Sequence, residues 1–472
     1  MVALLLVVLV ARAVSLLDGE HALGLADNGD FIRVMGPAGL AHIERPGEVL
    51  DWAAVTRFFR RYYQYETPWP LSQALQLPSS LTARAVAALA RHLPGGNARF
   101  DIGLYGLVHL LVAAALALSA MFRARPWRSL LALAMLWVLT DGEHLLVLNS
   151  FFAEPTAFVL LLVAVGLLLL HPESRLAFPA AAIALAGFSI ARMLFVVTGL
   201  GFGLLVLARA PRSLKRAAPW LALGGLPLLF ASHLASPVMA RDYTYNAVFA
   251  GILADAPPAE QPRLLGRLGV SPELLAFAGH KRFEPAWRQR IDAIAPERWP
   301  TTSVARRAWV LATEPRLWSG ALRRITAALG MITPNLGNYP EDHPSQPAPY
   351  QTYEEHSPRI SPIRRALCAL GWGACLPLLL LMSALALYRL RHPDPDEPYE
   401  GLVLALLLLF VLTQGPIAIV GDGYEAFARH LLAARFALDL ALVIGLLVLM
   451  RRLRPIAHRW IASRRPEESP VD

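Results

Sequence analysis

Charge is what this sequence has least of. Asp, Glu, Lys and Arg make up 17% of its 472 residues, against roughly 25% in a soluble domain. Cysteine is nearly absent as well, with two residues, Cys368 and Cys375, seven apart in one apolar run. On a continuous helix that spacing is about 10 Å, too long for a disulfide, so the cysteines carry no redox information. No Cys/His zinc spacing and no Gly-x-Ser-x-Gly nucleophile turn is present. Gly199-Leu-Gly-Phe-Gly203 and Gly224-Gly225 follow no strand, so they read as places where helices approach closely, not as nucleotide loops. Nothing repeats with a solenoid period.

What fills the chain instead is apolar surface. Hydrophobic residues account for 56% of it, mean hydropathy is +0.45, and Leu- and Ala-rich runs return again and again at close to the roughly 20 residues a bilayer requires. The fold class is therefore all-α and polytopic in a membrane. The net charge of +9 comes almost wholly from Arg, scattered between apolar runs and not gathered on one soluble face. That placement speaks for topology determinants and against a nucleic-acid partner.

About ten spans are expected: 2–17, 103–122, 129–147, 154–171, 177–191, 193–208, 219–236, 366–388, 400–420 and 431–450. The first is read as uncleaved, because no basic segment precedes it and Arg12 interrupts it. Two long external loops, 18–102 and 237–365, divide the chain into an N-terminal bundle (1–236), an external helical region (237–365) and C-terminal helices with a basic tail (366–472). Within the first loop, Trp52 to Tyr63 is rich in rings and Arg and reads as a helix lying in the interface. Arg123, Arg125, Arg128, Arg175, Arg209, Arg212, Arg389, Arg391 and the Arg-rich tail fall in alternate connections, and Asp141, Glu143, Asp422 and Glu425 fall in the others. The positive-inside rule then puts both termini in the cytoplasm of a bacterial inner-membrane protein.

The stretch Leu25-Ala-Asp-Asn-Gly-Asp-Phe-Ile-Arg33 begins about eight residues past span 1, at a membrane surface. Asp27 and Asp30 flank Asn28-Gly29, a turn signal, so both carboxylates can face one small volume, with Arg33 beside them. Acidic residues also recur at other outer connections: Asp18, Glu20, Asp141, Glu143, Glu154, Asp242, Asp422 and Glu425. The basic counterpart is Arg429-His-Leu-Leu-Ala-Ala-Arg-Phe-Ala-Leu-Asp439, in which Arg435 and Asp439 share a helical face, as partners in a buried ion pair or as part of a binding site. Arg33, Arg192, Arg429, His430 and Arg435 are candidates for an anionic lipid phosphate, since a guanidinium can grip two phosphate oxygens at once. Carboxylates near a hydroxyl, cations near a phosphate and a membrane-embedded body are what sugar transfer from a polyprenyl phosphate requires. His109 and His233, single in apolar runs, read as packing residues.

The outline resembles the GT-C superfamily of polytopic glycosyltransferases. Ala26 to Arg33, Asn149-Ser-Phe-Phe-Ala-Glu-Pro155 and Gly421-Asp-Gly-Tyr-Glu-Ala-Phe-Ala-Arg-His430 are similar to bacterial membrane hexose transferases of glycan biosynthesis. The resemblance implies a catalytic Asp in the first external loop, at Asp27 or Asp30, with the couplet Asp18 and Glu20 as rival. It also implies a second acidic cluster at Asp141 and Glu143, where some relatives hold a divalent metal, with Glu154 beside it as a further catalytic candidate. Mg2+ or Mn2+ would suit such ligands, but the sequence fixes no coordination set and the metal stays open.

The expected activity is inverting transfer of a hexose from a polyprenyl phosphate to a cell-surface glycan or lipid-linked acceptor. A lipid or glycan flippase is the alternative, and would want an inverted repeat and charges at the midplane, neither of which is evident. A scaffold role would leave Asp27, Asp30, Arg435 and Asp439 without a purpose.

Overall fold

The computed structural model describes residues 2–18, 22–44, 52–122, 125–209, 218–219, 221–223, 225, 237–295, 298–331, 336–344, 348–349, 351 and 361–463. The expected span 219–236 lies almost wholly outside the described residues, as do the side chains of Asp18, Glu20 and His233.

The first apolar run forms α1 (Val2–Asp18). The segment after it is not purely helical, which corrects the all-α expectation. Helices α2 (Ile32–Ala38), α3 (Trp52–Arg57), α4 (Leu71–Ala74) and α5 (Pro78–Ala90) accompany a small antiparallel sheet of β1 (Leu40–His42), β2 (Tyr62–Tyr65) and β3 (Phe100–Asp101). Its register pairs Leu40 with Tyr65, His42 with Tyr63 and Tyr63 with Phe100. The expected interfacial helix at 52–63 thus ends at Arg57, because Tyr62-Tyr-Gln-Tyr has the aromatic content that favours a strand. Tyr63 turns inward and is fully buried while its neighbours stay partly exposed.

The bundle follows as α6 (Ile102–Met121), α7 (Pro126–Leu139), α8 (Gly142–Leu148), α9 (Glu154–Leu170), α10 (Ala177–Ala191) and α11 (Val196–Arg209). Apolar runs become helices because a backbone among lipid or other helices must satisfy its own hydrogen bonds. Among the described residues, four helices have the length and composition to cross a membrane: Ile102–Met121, Trp372–Arg391, Glu400–Asp422 and Leu432–Leu453. They become five if α7 and α8, bent by 70°, count as one broken span. That bend replaces the straight span expected at 129–147, and Asp141 caps the new start, accepting from Glu143 N at 3.1 Å. Leu4–Leu17, Glu154–Leu170, Ala177–Ala191 and Met193–Ala208 are shorter apolar helices.

Downstream, Pro237–Tyr245 runs directly into a π-helical stretch, Asn246–Ile252. Helices Val304–Thr313 and Pro315–Gly330 lie within the 237–365 region expected to be helical. The run expected to form one span from 366 is broken: Ser361–Ala369 and Trp372–Arg391 meet at Gly371, whose φ of +81° ends the first helix. Cys368 and Cys375 are free thiols on either side of this break, not on one helix.

Charged connections gather at the two ends. At one end Arg128 pairs with Glu173 (2.6 Å) and Glu397 (3.1 Å), Arg389 with Glu400 (2.7 Å) and Arg451 with Asp394 (2.9 Å). Connections of the opposite sequence class meet at the other end and build the cavity described next.

Candidate functional site

The site begins with an extended strap, residues 22–26. Gly24 N donates to Asn338 O (3.1 Å), Asn338 Nδ2 donates back to Gly24 O (3.1 Å), and Ala26 N donates to Gly337 O (2.9 Å). Asn149 Nδ2 holds the other side by donating to Leu17 O (3.2 Å) and Leu23 O (2.8 Å). The Asn/Pro-rich loop near 336–338 and the Asn149 turn therefore clamp the approach to Asp27.

At Asp27 the chain turns. Its Oδ1 accepts from Gly29 N (2.6 Å) and Phe31 N (3.1 Å), and its Oδ2 lies 2.9 Å from His42 Nε2. Gly29 supplies the left-handed backbone the turn needs, with φ +89°. The buried Phe31 ring locks the turn to the next loop, packing edge-on against Phe152 at 4.8 Å and Phe151 at 5.9 Å. Phe151 in turn contacts Tyr63, Phe100 and Tyr105. These ring contacts fix the strap, the sheet and the start of α9 as one unit, which decides where Asp30 points.

Asp30 points into a cavity of about 270 Å3. Its charged and phenolic wall includes Asp30, Arg33, Glu154, Arg192, Tyr243, Asp422 and His430; Val34, Pro37, Leu77, Met193 and Leu194 supply a mostly apolar wall, which also carries Gln73 and Gln76. Trp69 and Met193, 39% and 43% exposed, bring that apolar wall to the protein surface. Arg429, behind the wall, meets Asp30 Oδ2 at 2.5 Å and lies over the Phe152 ring. Arg33 is 3.7 Å from Asp30 and donates to the Tyr243 hydroxyl at 3.5 Å. Glu154 pairs with Arg192, whose other arm reaches His430 Nδ1 at 3.2 Å. Asp422 Oδ2 sits 3.0 Å from His430 Nε2.

Electrostatics follow from this crowding. Burial works to raise the Asp30 carboxyl, but Arg429, Arg33 and Arg192 outweigh it and hold the group below the ordinary carboxylate range. Burial is also the main influence on His430 and, with Arg192 and Arg429, carries it below the usual imidazole value despite the pull of Asp422. Burial raises the Tyr243 phenol, which stays protonated at neutral pH. At neutral pH the cavity thus presents an anionic Asp30, fixed guanidiniums and a neutral imidazole.

Residues 1–465 match the family described as YfdI N-terminal transmembrane domain. The chain belongs to that family. Family membership and the apolar helices together make it a membrane protein of mostly helical fold. No curated protein and no solved structure matches it.

Of the residues singled out in the sequence, Asp30, Arg33, Glu154, Arg192 and His430 share the cavity, with Arg429 immediately behind it. Asp27 does not. Both its oxygens are engaged in shaping the turn, so the two carboxylates do not face one volume. Arg435 is also displaced from its expected role: it is fully buried, pairs with Glu143 at 2.6 Å, and donates to the carbonyls of Met331 and Ala428. Its expected partner Asp439 is instead paired with Arg364 (3.3 Å) and His144 (3.0 Å) from neighbouring elements. Glu143 lies between Arg364 and Arg435, and Asp141 serves as a helix cap. Among the described residues no group of three or more His, Cys, Asp or Glu side chains is placed to hold a metal. His109 is the packing residue expected, bonded to Tyr105 O and Thr156.

In the sequence Asp422 stands out only as an outer-loop charge within the Gly421–His430 stretch, and neither Tyr243 nor Trp69 is marked as a site residue. The signal for Tyr243 was Arg241-Asp-Tyr-Thr-Tyr-Asn246, a polar aromatic run directly after an apolar stretch.

Proposed function

We propose that the protein is an inverting GT-C-type glycosyltransferase that moves a hexose from a polyprenyl phosphate to a glycan or lipid-linked acceptor. One observation carries this reading: Asp30 and the cations Arg33 and Arg192 line the same small cavity whose other wall is mostly apolar and reaches the surface at Trp69 and Met193. A polyprenyl phosphate sugar has the matching form, an anionic head on an apolar chain.

In this reading Arg192 and Arg33 hold the phosphate, and the apolar wall takes the first isoprene units. The acceptor hydroxyl attacks the anomeric carbon from the face opposite the phosphate. A bond forms from the acceptor oxygen to that carbon, the bond from the carbon to the phosphate oxygen breaks, and the hydroxyl proton passes to the Asp30 carboxylate. The departing polyprenyl phosphate keeps the bond's electron pair as an anion beside the two guanidiniums, so it needs charge stabilisation and no proton. Asp30 is a weak base, held ionised by Arg429, which suits it to orient the hydroxyl and to take its proton late in bond formation.

The charge pattern of the connections supports a cavity on the outer face of a bacterial inner membrane with both termini inside. Beneath the cavity, next to Ala191 and Leu194, the buried rings of Phe188, Phe195 and Phe410 pack at 4.9 to 5.4 Å. That apolar floor favours an enzyme over a flippase, which needs a polar path through the bundle.

The test is incubation of purified protein with a panel of polyprenyl phosphate sugars and membrane glycolipid acceptors, with mass spectrometry for released polyprenyl phosphate. Release with at least one donor, lost in Asp30→Asn, is expected. Release at an unchanged rate by Asp30→Asn refutes the site, and no release with any donor refutes the activity.

A further inference from the structure

Five side chains, Asn246, Asp422, His430, Arg192 and Glu154, stand in a single file of hydrogen bonds whose directions are fixed by chemistry. A guanidinium only donates, so His430 Nδ1, 3.2 Å from Arg192 Nη2, is the bare acceptor and the ring proton sits on Nε2. That proton goes to Asp422 Oδ2 at 3.0 Å. The other Asp422 oxygen accepts from Asn246 Nδ2 at 3.0 Å. Asn246 cannot be flipped, because its Oδ1 accepts the backbone N–H of Arg282 at 2.8 Å. At the far end, the second arm of Arg192 donates to Glu154. Asn246 is buried and lies outside the cavity, at the start of a π-helical stretch of the kind that often marks a functional position.

We propose that Asn246 and Asp422 are positioning residues that act through His430. They hold its ring in the neutral Nε2–H form, so that Nδ1 and Glu154 together fix the Arg192 guanidinium and leave its remaining N–H groups for an anion in the cavity. The identity of that anion as a polyprenyl phosphate rests on the reading given above; the hydrogen-bond file does not. The arrangement is sensitive to acid. A proton added at Nδ1 turns the acceptor into a donor facing Arg192, with Arg429 nearby and Asp422 opposing them, while Glu154 and Asp30 are engaged by Arg192 and Arg429 and Tyr243 is neutral.

The experiment uses the full chain in lipid nanodiscs, 15N-labelled at histidine, with the His430 signal assigned by its loss in His430→Gln. Nitrogen shifts report the tautomer, and binding is measured with polyprenyl phosphate that carries no sugar. The wild type is expected to show a neutral Nε2–H ring at pH 7.5. In Asp422→Asn the amide cannot accept from both His430 and Asn246, so affinity for polyprenyl phosphate drops by about tenfold or more, the scale of one charge-assisted hydrogen bond. The double variant Asn246→Asp/Asp422→Asn exchanges the amide and the carboxylate, restores every donor–acceptor match, and returns the affinity to within about threefold of wild type.

A ring found as Nδ1–H or charged at pH 7.5 overturns the proposal, and so does a double variant no better than Asp422→Asn. The tautomer is read in the wild type and does not depend on how well a variant folds; the affinity of each variant is counted per folded molecule, with the folded fraction taken from its thermal unfolding. A wild type that binds no polyprenyl phosphate while keeping the Nε2–H ring overturns the donor reading and supports the file.

Discussion

At Asp27 both carboxylate oxygens are occupied, by two backbone N–H groups and by His42, whereas Asp30 keeps a face to the cavity. The two aspartates therefore respond differently to substitution. Asp27→Ala is expected to cost about 1–2 kcal/mol of stability, the scale of a lost turn-capping carboxylate, and to lower transfer only by displacing the turn. Asp30→Asn is expected to lower transfer by about 10²–10⁴. Thermal unfolding measured beside turnover separates them, and equal losses of turnover at unchanged stability would contradict the assignment. The two shifted groups also set a pH dependence. Asp30 is held below its ordinary value, so its contribution to stability is fully present above about pH 4 and fades as pH falls through the lowered value. His430 is lowered too, so the unfolded chain takes up the proton first, and stability falls as pH drops below about 6.5. The unfolding temperature of the wild type should decline between about pH 7 and pH 5, with part of the decline missing in His430→Gln.

Among elements, the Leu432–Ser463 helix and its neighbours depend on a buried ionic group. Glu143 stands between Arg364 and Arg435, and Asp439 between Arg364 and His144, all essentially inaccessible to solvent. Arg364 and Arg435 also hold the carbonyls of Leu329, Met331 and Ala428, tying the end of the Pro315–Gly330 helix to the turn that carries Arg429 and His430. Glu143→Gln leaves two guanidiniums short of a countercharge and should destabilise the protein by about 3–5 kcal/mol, read as a lowered unfolding temperature. Gly423 is the other critical joint. Its φ is +60° and an added Cβ would collide with the Asn246 carbonyl and the Gly251 amide. Gly423→Ala should push the Asn246–Ile252 stretch away from Asp422 and lower both stability and transfer, with turnover per folded molecule as the measurement.

For the whole molecule, the ion pairs among Arg128, Glu173, Glu397, Arg389, Glu400 and Arg451 at one end and the Asp30 cavity at the other make sidedness testable. A cysteine placed at exposed Ala98, near the cavity end, should react with a membrane-impermeant maleimide in intact cells. One placed at exposed Pro395 should react only after permeabilisation. The reverse pattern would invert the proposed topology.

Membrane insertion, most helix positions and the candidates Asp30, Glu154, Arg192, Arg429 and His430 were legible in the sequence. Hydrophobic runs of a given length have few structural solutions in lipid, and a charge beside such a run is costly enough to stand out. The strand at Tyr62–Tyr65, the 70° bend after Leu139 and the break at Gly371 were not legible, because each depends on what a neighbouring segment offers to a backbone that could locally continue as helix. The same limit applied within the site. Asp27 and Asp30 are alike in the sequence, and so are Arg429 and Arg435. Only the tertiary contacts, with His42 at Asp27 and Glu143 at Arg435, decided which of each pair is consumed in holding the fold and which faces or backs the cavity. A side chain's partner is set by distances across the fold, and spacing along the chain does not encode them.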